Sequence, residues 1–180
     1  VTISNLTPKA EGGDVSVDED DLLANRGVGE SAGSDPVKES TVVQGSLTIL
    51  APDGIDTLSI GGHAIITNGV FSPTSFTTPL GNTFSVTNFN SATGEVTYSY
   101  TLNDNENHPA GNGENDLFED LIVILKDIDG DTANNTLSIR IIDDVPSVTV
   151  TAIAAADILT VDESNLLVNA SADFSDNFSS

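Results

Sequence analysis

Hydrophobic and polar residues alternate with a period of two along much of the chain. Val96, Tyr98, Tyr100 and Leu102 are separated by Thr97, Ser99 and Thr101, which is the pattern of a half-buried strand. Leu137, Ile139 and Ile141 alternate in the same way with Ser138 and Arg140. Leu121 to Leu125 is a continuous apolar run and predicts a strand covered on both faces. Shorter strands are predicted at Val42–Leu50, Thr57–Ile60, His63–Thr67, Thr83–Val86 and Ser147–Thr151. Turn chemistry separates them: Pro52-Asp53-Gly54, Gly61-Gly62, Asn68-Gly69 and Thr93-Gly94. No stretch repeats its apolar residues at helical spacing between caps. The prediction is an all-β protein, an antiparallel Ig-like or cadherin-like β-sandwich. Phe71, Phe76, Phe84, Phe89 and Phe118 are expected in its core, and residues 25–40 and 103–116 on its surface.

Val17-Asp18-Glu19-Asp20-Asp21-Leu22-Leu23 recurs as Val161-Asp162-Glu163-Ser164-Asn165-Leu166-Leu167. A spacing this long is that of a whole domain rather than of a solenoid repeat. The expectation is one complete repeat over residues 1–146, closed by Pro146, and over 147–180 a linker with the opening strands of a following or split domain. The missing start Met and the polar end suggest a piece of something longer.

Charge narrows the function. The chain carries 28 Asp plus Glu against 5 Lys plus Arg, a formal charge of −23. Such a chain cannot replace counterions along nucleic acid, and it is repelled by an anionic membrane. Hydrophobic residues at 38% still supply a core. Without cysteine, neither a disulfide nor a thiolate metal site is possible, and the carboxylates point to a hard cation.

The most distinct constellation is Asp127-Ile128-Asp129-Gly130-Asp131. Oxygen donors at alternate positions around a turn glycine can wrap one Ca²⁺. An EF-hand is excluded, because Thr132 and Ser138 stand where its Gly and bidentate Glu belong, and both flanks are strands. Asp143 and Asp144 form a second cluster, and Asp18 and Glu19, with their copies Asp162 and Glu163, a third. If residues 119–126 and 135–142 form a hairpin, Asp127 and Asp143 lie about 25 Å apart at ~3.3 Å per residue, too far to share an ion. Asp104, Glu114 and Asp116, in the long acidic loop, offer a further Ca²⁺ site. His108 and His63 read as ordinary residues rather than metal ligands. No nucleophile elbow, zinc-protease helix or phosphate-cradling loop occurs and aromatic residues are few, so no catalysis is expected.

The series Asn107-His108-Pro109-Ala110-Gly111-Asn112-Gly113-Glu114-Asn115, then Asp127-Ile128-Asp129-Gly130-Asp131-Thr132-Ala133, then Ile142-Asp143-Asp144-Val145-Pro146 resembles the long tandem repeat domain of type I-secreted RTX adhesins, giant bacterial surface and biofilm proteins. The likeness runs from about Val17 to Pro146. It implies a Ca²⁺-rigidified sandwich, secretion without a cleaved N-terminal signal, an extracellular place on the bacterial surface, and a role in attachment. The nonapeptide β-roll of the RTX group is not implied, since its G-G-x-G-x-D repeats are missing. The expected function is therefore a Ca²⁺-stabilised, monomeric structural extender whose partners are neighbouring domains of its own chain. The alternatives are a glycan- or peptide-binding module using residues 103–116 and Ser72–Thr78, or a scaffold for an inserted ligand-binding domain.

Overall fold

The computed structural model describes residues 1–23, 37–109, 115–144, 149–150 and 178–179. Contacts divide the chain into two units, Val1–Val145 and Pro146–Ser180. In the second, Thr149–Val150 pairs antiparallel with Phe178–Ser179.

Among its described residues the first unit has eleven strands. They are β1 (Thr2–Ser4), β2 (Val15–Asp18), β3 (Val42–Leu50), β4 (Ile55–Ile60), β5 (His63–Thr67), β6 (Val70–Phe71), β7 (Thr74–Thr77), β8 (Thr83–Asn90), β9 (Glu95–Thr101), β10 (Asp116–Asp127) and β11 (Thr132–Ile142). Short 3₁₀ turns occupy Lys9–Glu11 and Glu19–Asp21. One sheet has the order β1-β3-β9-β8-β7, the other β2-β11-β10-β4-β5-β6. The fold is an all-β sandwich, as the alternation predicts. One pairing departs from the antiparallel expectation: β2 lies parallel to β11, matching Val15 with Ile139 and Asp18 with Ile142. A parallel neighbour needs a long connection back across the fold, and nothing in local sequence encodes that choice.

The core sits between the sheets. Leu47, Ile49, Phe84, Val86, Val96, Tyr98 and Tyr100 from one sheet meet Leu58, Ile60, Leu121, Val123, Leu125, Leu137, Ile139 and Ile141 from the other. The burial of so much apolar side-chain surface, at roughly 25 cal/mol per Å², is what holds the sheets together. Gly45 pairs with Tyr98 across β3 and β9. A Cβ there would lie 2.4 Å from the Tyr98 ring, so only glycine lets the ring lie over that strand.

Two expectations need correction. The Leu121–Leu125 run is covered on one face only: Leu121, Val123 and Leu125 are buried, whereas Ile122 and Ile124 are 49% and 45% exposed. The partner sheet covers one side of β10, and among the described residues no layer covers the other at these two positions. Among the five phenylalanines, Phe84 is fully buried, and Phe71, Phe76 and Phe89 pack against the core from its margin. Phe118 belongs to the outward row of β10 and lies beside Gly13.

Candidate metal sites at the two ends of the sandwich

The β10–β11 hairpin pairs from Asp116 with Ile142 to Lys126 with Thr132, so its turn and its open end fall at opposite poles, as expected. The inward row of β10 runs Glu119, Leu121, Val123, Leu125, Asp127. A period of two thus carries an apolar stripe through the core and ends it at each pole on a buried carboxylate.

At the turn pole Asp127 is 1% exposed. Its Oδ1 accepts hydrogen bonds from the N–H groups of Gly130 (3.0 Å) and Asp131 (2.7 Å), an arrangement made possible by Gly130 at φ +107°. The backbone N–H of Ile128 donates to Gly54 O at 3.1 Å, docking this turn on the β3–β4 turn. That contact brings Asp53 to the cluster. Ligand oxygens of Asp53, Asp127 and Asp129 lie within 4.8 Å of one another. A hydrogen bond shared with Asp129 holds the Asp127 carboxyl below its ordinary range, and the same bond raises Asp129. The two acids compete for one proton, which is the electrostatic condition that a cation relieves. Asp131 contributes its backbone, not its carboxylate, to this grouping. Pro52-Asp53-Gly54 reads in the sequence as turn punctuation, which hides Asp53 as a ligand.

At the other pole the inward rows of β2 and β11 end on Glu19 and Asp143. Glu19 is 2% exposed. Its Oε1 accepts from the Glu106 N–H at 2.6 Å and lies 3.1 Å from His108 Nε2. His108 Nδ1 is 3.2 Å from Asn115 Oδ1, and Asn115 Nδ2 donates to Asp143 Oδ2 at 2.8 Å. Glu19, His108 and Asp143 form a second group of ligand atoms within 4.8 Å. His108 is not the ordinary loop residue expected: its side chain is 5% exposed and packs with the Glu106 N–H against Glu19. Asp18 caps the Glu19–Asp21 turn by accepting from the Asp20 N–H at 3.0 Å. Asp104 accepts from the Asn105 N–H and is exposed. Neither Asp18, Asp104 nor Asp144 joins either group. Asp116 pairs with Arg140 at 2.8 Å. Glu114, Asp162 and Glu163 lie outside the described residues, as do Val145 and Pro146.

A buried network adjoins this pole. Tyr100 Oη donates to Glu119 Oε2 at 2.7 Å, Leu80 N–H donates to Glu119 Oε1 at 3.0 Å, and Asn82 Nδ2 donates to Glu106 Oε1 at 2.6 Å. Burial raises the carboxyls of Glu19 and Glu106, opposed by hydrogen bonds from the Glu106 N–H and Asn82 respectively. Lys9, Lys126 and Arg140 pair with Asp120, Asp56 and Asp116, and Lys38 Nζ donates to Asp20 O.

Elsewhere, a cleft of about 370 Å³ is lined by Leu6, Pro8, Lys9, Asp120, Asn135, Thr136 and Ser138. Another, of about 320 Å³, is lined by Pro73, Thr74, Ser75, Ser85, Val86 and Thr87. No helix of the described residues is long and apolar enough to cross a membrane. No family model, curated protein or solved structure matches this chain.

Proposed function

We propose that this chain is a non-catalytic, Ca²⁺-stabilised extender: a sandwich that stiffens when it binds calcium and spaces other domains of a secreted bacterial surface adhesin. The observation that carries the reading is the meeting of Asp53, Asp127 and Asp129 from two docked turns. Hard oxygen donors without nitrogen or sulfur suit Ca²⁺, which also accepts main-chain carbonyls and water to complete its shell. The net charge of −23 supports it, since self-repulsion penalises the metal-free compact state. The adhesin context, the extracellular location and the partnership with neighbouring domains of the same chain rest on the sequence resemblance.

A thermal melt in millimolar CaCl₂, in EGTA and in MgCl₂ tests it. An ion bound only by the folded form adds RT ln(1 + [Ca²⁺]/Kd), about 2.7 kcal/mol at a hundredfold excess. We expect Ca²⁺ to raise the melting temperature by ~5–10 °C per site at that excess, with Mg²⁺ well behind, and Asp129→Asn to reduce the shift. Identical melts in CaCl₂ and EGTA would sink the proposal. A second reading, a glycan- or peptide-binding module, draws on the groove along Pro73–Ser75, which overlaps the Ser72–Thr78 segment expected to contact a ligand. A glycan and peptide array decides it, and silence at millimolar ligand counts against it.

A further inference from the structure

Among the described residues, the hydrogen bonds around His108 do not close on a neutral imidazole. Asp143, when ionised, can only accept, so the Asn115 group facing it at 2.8 Å must be the amide nitrogen. That orientation turns the Asn115 carbonyl oxygen towards His108 Nδ1 at 3.2 Å, and a carbonyl also only accepts. Nδ1 therefore carries the ring hydrogen. In the neutral imidazole this leaves Nε2 as a bare lone pair. Nε2 stands 3.1 Å from Glu19 Oε1, another acceptor, in a setting where both side chains are at least nine-tenths buried. Two lone pairs cannot face each other there at no cost: either a second ring proton or a metal ion must stand between them.

We infer that Glu19, His108 and Asp143 form a binding site for a borderline divalent transition cation of the Zn²⁺ class, chemically distinct from the all-oxygen cluster at the other pole. Three features favour the metal over the proton. The donor set is one imidazole nitrogen and two carboxylates, which suits Zn²⁺-like ions rather than Ca²⁺. The Glu19–His108 spacing fits: bonds of about 2.0–2.1 Å in a tetrahedral shell set neighbouring ligand atoms about 3.3 Å apart, against the observed 3.1 Å, and an Asp143 oxygen lies within 4.8 Å of both. The outer partners fit as well. A ligating histidine is normally oriented by an acceptor on its other ring N–H, and Asn115 supplies that acceptor while also holding Asp143.

The site stands apart from the Ca²⁺ reading, and the experiment separates them. The metal-depleted 180-residue chain is titrated with Zn²⁺ in saturating Ca²⁺, and with Co²⁺ as a spectroscopic probe. We expect one saturable equivalent of Zn²⁺, a melting-temperature rise of ~5–10 °C at a hundredfold excess over Kd, and Co²⁺ absorption bands of a low-coordinate N/O shell. His108→Gln should abolish the Zn²⁺ shift and keep the Ca²⁺ shift, Asp129→Asn should reduce the Ca²⁺ shift and keep the Zn²⁺ shift, and His63→Gln should change neither. The Co²⁺ spectrum of the unsubstituted chain serves if His108→Gln fails to fold. An aquo-like Co²⁺ spectrum with no saturable Zn²⁺ binding, or a Zn²⁺ shift that survives in folded His108→Gln, overturns the assignment.

Discussion

Tyr100 is where one residue decides most. Its hydroxyl is sealed in the core against Glu119, and Glu119 holds Leu80 N–H with its other oxygen. Burial, followed by the hydrogen bond and charge of Glu119, raises the Tyr100 phenol far above its ordinary value, and burial does the same for Tyr98. These are the chain's two tyrosines, and it has no tryptophan. A pKa higher in the folded state than in the unfolded chain contributes stability in full below the unfolded value, near ~10, and loses it as pH rises beyond that. We therefore expect tyrosinate absorbance to stay flat in the folded protein through pH ~10, then appear in one step together with loss of the β-sheet circular dichroism. A gradual titration near pH ~10 with the sheet signal intact would contradict it. Tyr100→Phe leaves Glu119 short of a donor in a buried place, and should cost about 1–3 kcal/mol in urea unfolding. At this scale the chemistry was only partly legible in the sequence. Asp127 and Asp129 announce themselves by spacing, and Glu19 and Asp143 by recurrence and crowding. Asp53 and His108 acquire their meaning from contacts between segments distant along the chain, which no local pattern carries.

At the scale of elements, alternation was a reliable guide to where strands lie and a weaker one to what surrounds them. β3 and β5 match their predicted limits, and β9, β10 and β11 form where the alternation and the apolar run placed them. The short β1, β2, β6 and β7 lacked enough residues to display a period, and they line the margins of the sheets. The apolar run in β10 misled about its outer face, since Ile122 and Ile124 satisfy strand propensity without being buried. The two faces make a sharp contrast. Leu125→Ala should cost about 2–5 kcal/mol through lost burial and a residual cavity. Ile122→Thr, on the exposed row, should stay within about 0.5 kcal/mol. Equal losses in chemical denaturation would show that both faces of β10 are covered.

For the whole molecule, the dominant fact is −23 charges on a fold of this size. Salt screens exposed charges over a Debye length of about 10 Å at 0.1 M and ~3 Å at 1 M. The metal-free protein should accordingly gain melting temperature as NaCl rises, and saturating Ca²⁺ should flatten that dependence by removing the closest repulsions. A metal-free melt indifferent to salt would mean that the carboxylates already lie too far apart to strain the fold. The sandwich architecture itself was legible from the sequence at this scale. The order of strands within each sheet was not, because it records which distant edges meet rather than what each segment prefers.

The parallel pairing of β2 with β11 bears on how the sandwich would respond to being pulled. Tension along the chain enters β2 at Val15 and leaves β11 at Ile142. Because the two strands run the same way, these points are at opposite ends of their ladder. Traction therefore slides one strand lengthwise past the other, loading the rungs together, whereas an antiparallel pair gripped in the same way would open one rung at a time. A short ladder at the margin of the sheet thus becomes a mechanical clamp, standing behind the β1–β3 pairing on the path of the pull.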